Sequence, residues 1–148
     1  MNQLHSYEFR DPASLVQEIA DRVPLVEGTA LLALVERPST AQRLVRVESL
    51  RTPAEIFTSQ AAEEEMRRLI DAWPLPDTRP PQHASLLVIV RPGLCVFGPN
   101  EAQWFRADRY LNHLRSLYTG DCVLVTEHGW VDFMTRFAAT TPALQRSA

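Results

Sequence analysis

Six residues, Ser85-Leu-Leu-Val-Ile-Val90, run without a charge and end in three β-branched side chains. Pro80 and Pro81 precede them, and Arg91-Pro92-Gly93 follows. A short apolar run of this kind, closed at both ends by turn residues, reads as a central strand of a sheet. The chain therefore has to supply partners for that strand, and other segments look suited to it.

Thr29–Glu36 is a second, nearly continuous apolar run. Arg43–Leu50 alternates, with Leu44, Val45, Val47 and Leu50 set against Arg43, Arg46 and Glu48. With Arg37-Pro38-Ser39-Thr40 between them, the two read as a hairpin with one wet face. Asp121–Thr126 reads as a further strand, Glu127-His128-Gly129 as a turn and Trp130–Phe133 as its partner.

Three helices are expected. Asp11 caps the first, Pro12 opens it, and Leu15, Val16, Ile19, Ala20 and Val23 recur at helical spacing. Thr52-Pro53-Ala54-Glu55 has the form of a capping box and predicts a helix over about 53–72, with Ile56, Phe57, Met66, Leu69 and Ile70 inward. Asn100 and Gln103 form a similar pair, opening a helix over 100–118 that Gly120 stops. Its expected apolar stripe is Phe105, Ala107, Tyr110, Leu111, Leu114 and Leu117. The order of these segments predicts an α+β (α/β) fold with a mixed central sheet flanked by helices. Residues 1–139 are expected to form a single domain, with the Pro-rich stretch 74–82 as a connector within it. The small, polar tail 140–148 is expected to be disordered.

Composition narrows the chemistry. All 15 basic residues are Arg and none is Lys, which removes Schiff-base and phosphate-loop lysine mechanisms. Asp and Glu outnumber Arg by 18 to 15, so no nucleic-acid partner is expected. No apolar run approaches the ~20 residues of a membrane span. The start of the chain has neither a basic stretch nor an apolar one, and a cytoplasmic location is expected. Cys95 and Cys122 fit no metal spacing and read as reduced, buried thiols. Cys95 sits in a loop, but Leu94 and Val96 beside it give a thiolate no positive surroundings.

Few residues stand out as chemistry. His5, His83, His113 and His128 are unpaired in spacing and read as ordinary surface or hydrogen-bonded histidines. Glu36 and Asp121 lie at strand ends, where carboxylates sometimes act as bases but more often belong to turns. Trp73, Trp104 and Trp130 read as packing.

One stretch carries a family pattern. Pro92 is followed after seven residues by Asn100, and three further on by Gln103; Ile89 and Arg91 precede Pro92 at fixed distances. Upstream lies Thr52-Pro-Ala-Glu-Ile-Phe57, and Cys122–Phe133 closes the pattern. Residues 29–135 thus resemble the JAB/MPN metalloprotease-like domain, in its RadC-like bacterial branch. That family's hallmark is His-x-His-Pro, seven residues, then Ser-x-x-Asp, with the two His and the Asp on zinc and an upstream Glu as base. Here Ile89 and Arg91 fall at the His positions, Asn100 at the Ser and Gln103 at the Asp.

Ile has no lone pair, a guanidinium repels the ion and Gln is a poor zinc ligand. The resemblance therefore implies a three-layer fold without catalytic residues, metal or cofactor. It implies a pseudoenzyme that acts through protein contacts as scaffold or regulator, with a protein partner or a second copy. The alternative is an enzyme or small-ligand binder in which Arg91 grips an anion at the helix start. Either way the candidate surface is the Arg91–Asn100 loop, with Arg91, Phe97, Asn100, Gln103 and the strand-end Glu36. Pro92, Gly93, Gly98 and Pro99 stiffen that loop, and Leu94, Val96 and Phe97 have either to plug the core or to meet a partner.

Overall fold

The computed structural model of the chain describes residues 4–109, 111 and 116–145. Its elements are α1 (Pro12–Arg22), β1 (Ala30–Glu36), β2 (Arg43–Ser49), α2 (Ser59–Ala72), β3 (His83–Val90), α3 (Pro99–Arg109), β4 (Tyr118–Thr126), β5 (Gly129–Asp132) and β6 (Ala138–Ala139).

All eight residues of β3 are buried. The reason is its place in the sheet, whose order is β2-β1-β3-β4-β5-β6. β1 lies antiparallel on one side of β3 and β4 parallel on the other. Alternate side chains then enter two different cores. Leu86, Val88 and Val90 meet Leu15, Val16 and Ile19 of α1, while Leu87 and Ile89 meet Met66, Leu69 and Ile70 of α2 and Trp104 of α3. Each such side chain contributes about 1.5–3 kcal/mol relative to exposure. The result is the expected α+β fold, a mixed sheet between one helix and two.

α1 follows its sequence closely. Asp11 accepts the Ser14 N–H at 3.1 Å, Pro12 opens the first turn, and Val23 closes the helix in an extended conformation.

Other boundaries differ from the sequence reading. Thr52-Pro53-Ala54-Glu55 opens no helix; α2 begins at Ser59. The groups around Ala54 are taken by tertiary partners instead. The Ala54 N–H donates to Gly28 O at 3.0 Å, and its carbonyl accepts two side-chain donors from α3. Ile56 packs on the core as expected, but Phe57 is wholly exposed.

Helix α3 ends at Arg109, and Tyr118–Gly120 belong to β4. Gly120 is therefore no helix stop. A Cβ there would lie 2.0 Å from the Ser85 carbonyl and 2.8 Å from the Phe9 ring, so only glycine permits the approach of β4 to β3. Tyr110, His113 and Leu114 lie outside the described residues.

The expected tail also differs. Leu144 is buried; its N–H donates to Thr126 O at 3.1 Å, and that of Gln145 to Leu25 O at 2.7 Å. Residues 140–145 thus return across the sheet, because Leu144 offers apolar area and Thr126 and Leu25 offer carbonyls. Residues 146–148 lie outside the described residues.

Candidate functional site

Arg91 leaves the end of β3, but its guanidinium turns back over its own loop. Nε donates to Glu101 Oε2 at 2.8 Å, and Nη2 to Glu101 Oε1 at 2.7 Å. Nη2 also reaches Val96 O at 2.9 Å, and Nη1 reaches Pro92 O at 3.1 Å and Leu94 O at 3.4 Å. A guanidinium has five N–H donors, and these bonds use all of them. The loop's path is set by this arginine as much as by its prolines and glycines.

Glu101 is the other half. Its Oε1 accepts the Gly98 N–H at 2.8 Å. Gly98 stands before the helix, Pro99 opens it and Glu101 is the third helical residue, which reproduces the reciprocal half of a capping box. Burial pushes the Glu101 carboxyl up, but the bonds from Arg91, Asn100 and Gly98 outweigh it and hold it below the usual carboxylate range. The Glu101 bond raises Arg91.

The expected cap, Asn100, does something else. Its Nδ2 donates to Ala54 O at 2.8 Å, and its Oδ1 accepts the Ile56 N–H at 2.9 Å. The side-chain amide thus grips segment 54–56 as a neighbouring strand would. Trp104 Nε1 adds a second bond to Ala54 O at 2.7 Å. These bonds explain why the segment is not helical.

Arg91, Pro92, Asn100 and Gln103 line one cleft of about 670 Å³, with Glu55 and Phe57 on its far wall. Phe97 turns away from it, edge-on to Phe133 with ring centroids 5.0 Å apart. Leu94 and Val96 are exposed at 74% and 64%.

Glu36 does not join them. Antiparallel pairing of β1 with β3 sets Glu36 beside His83, at the opposite end of β3 from Arg91. It is bound there to Arg43 at 2.7 Å across the hairpin, and that bond lowers its pKa.

No family model, curated protein or solved structure matches this chain. What the site can do has to be read from its own groups. Among the described residues no three His, Cys, Asp or Glu side chains are grouped to hold a metal ion. No helix among them is long and apolar enough to cross a membrane. Cys95 is half-buried with its Sγ on Leu124 O at 3.8 Å, and burial raises its thiol, the reverse of what a nucleophile needs.

In the alternative reading Arg91 grips an anion, and the guanidinium already holds one from within the chain, the Glu101 carboxylate. Its donors are spent, and the positive end of α3 faces the Glu101 carboxylate rather than solvent. Sequence reasoning missed Glu101 because Asn100 and Gln103 offered a competing pair two residues further along. The signal was present in Gly98-Pro99-x-Glu101, where Pro suits the first helical position and Glu the third.

Proposed function

We propose that this chain is a non-catalytic domain of JAB/MPN-like architecture that acts through protein contacts around the end of β3 and the start of α3. The observation that carries the proposal is the closed ion pair at the centre of the candidate site. Arg91 and Glu101 satisfy each other, so this pair offers a substrate neither a free carboxylate base nor a free cation. Around it stand Phe57, Leu94 and Val96, exposed apolar side chains on segments whose backbone is held firmly by Asn100 and Arg91. Rigid, exposed apolar groups beside satisfied polar ones suit a docking surface.

The family pattern fits the same reading. Arg91, Pro92, Asn100 and Gln103, at the hallmark positions, line one cleft. Ile89, at a zinc-ligand position, is fully buried in the core under α2 and α3. The partner is another protein or a second copy of the chain.

The test is site-specific photo-crosslinking in cells of the native host, with benzoyl-phenylalanine replacing Phe57 or Leu94. A discrete adduct from these positions, absent when the same group replaces Glu64 on the solvent face of α2, is the expected result. Adducts no stronger than those from position 64 overturn the proposal.

A further inference from the structure

On the other side of the Arg91–Pro99 loop lies a second cavity, of about 340 Å³, between α3 and the end of β5. We infer that it binds a small planar aromatic carboxylate. This inference does not rest on the reading of the first cleft.

Three rings build its walls. Phe97 meets Phe133 edge-on at 5.0 Å, and Phe105 meets Phe133 at 4.7 Å with the planes 38° apart. All three are only half-buried, so ring faces and edges remain open to the cavity. A flat ligand entering there makes the offset and edge contacts that these three leave unfilled. The volume lies at the low end of the ~300–1,000 Å³ range of ligand pockets, which suits one or two fused rings.

The charge at the mouth selects the ligand's polar end. Arg136 is exposed, has a left-handed backbone with φ of 65°, and holds its Cζ 5.2 Å from the Phe133 ring centroid. Its own N–H donates to Asp132 O at 2.9 Å, which fixes the turn that presents it. Among the described residues it forms no ion pair. Its planar fork is therefore available to grip a carboxylate with two bonds.

The other polar groups do not compete. Glu101 lines the cavity, but its carboxylate is bound to Arg91, Asn100 and the Gly98 N–H. Cys122 also lines it, and burial keeps that thiol protonated. The free charge is positive, which disfavours the quaternary ammonium that a bare aromatic cage would take.

The test titrates 2-naphthoate into the full chain and follows backbone amide shifts by NMR. Parallel titrations use uncharged 2-naphthylmethanol and tetramethylammonium. Naphthoate is expected to saturate shifts at Phe97, Phe105 and residues 133–137, about five- to tenfold more tightly than the alcohol. Arg136→Gln, at an exposed position, is expected to abolish that preference, so that acid and alcohol bind equally. Equal affinity for acid and alcohol, tighter binding of tetramethylammonium, shifts confined to other residues, or none at all, would each overturn the inference.

Discussion

Arg91 and Glu101 form a two-pronged ion pair in which the carboxylate is 1% exposed and the guanidinium 16%. Such a pair adds little net stability over apolar side chains of the same volume, yet loss of one partner strands a buried charge. Arg91→Met is expected to lower the unfolding free energy by about 3–5 kcal/mol, and Arg91→Met combined with Glu101→Gln to recover most of it. Urea denaturation of the two variants decides the matter. The pair also has a pH signature. Because the folded pKa of Glu101 is lowered, its stabilisation is present above the unfolded value of about 4.3 and is lost as pH falls through the folded one.

Asp108 behaves in the opposite sense. It is fully buried on α3, its Oδ1 has no hydrogen-bond partner among the described residues, and burial pushes its pKa up to about 7. Between pH ~4 and 7 the unfolded chain gives up this proton while the folded chain keeps it, so stability falls as pH rises. The fall should amount to something on the order of 4 kcal/mol. Asp108→Asn is expected to flatten it, with urea midpoints at pH 5 and pH 8 drawing together. Midpoints that stay as far apart as in the unmodified chain would show that another group is responsible.

Asn100 ties α3 to segment 54–56 through both ends of its amide. Asn100→Ala is expected to cost roughly 1–3 kcal/mol and to speed hydrogen exchange at the Ile56 N–H. Exchange at Leu32, in the middle of β1, should change only with global stability. An Ile56 amide that stays protected would mean that something else holds the segment.

Much of the fold was legible because its signals are local. Val88, Ile89 and Val90 are buried on both faces, which a continuous β-branched run encodes directly. Asp11 and Pro12 start α1 with chemistry confined to one turn. The misreadings have a common cause in partners distant along the chain. Thr52–Glu55 looks like a helix start until Gly28, Asn100 and Trp104 claim the Ala54 backbone. Gly120 looks like a helix stop until Ser85 and Phe9 demand a residue without a side chain.

The site was legible in part. Arg91, Asn100 and Gln103 do share a cleft. Glu36 is separated from them by the direction of β1 against β3, which no local pattern states. The partner of Arg91 was not legible, since the sequence shows an exposed-looking cation after a strand and not the Glu101 carboxylate that folds back beneath it.

The hairpin of β1 and β2 carries a consequence for assembly. β2 forms one margin of the sheet and the two-residue β6 the other. β2 presents Arg43, Arg46 and Glu48 along that margin, and β6 is too short to template a neighbour. Both margins are thus poor recruits for a strand from another molecule. Fibre-like growth by strand addition is thereby discouraged at either margin.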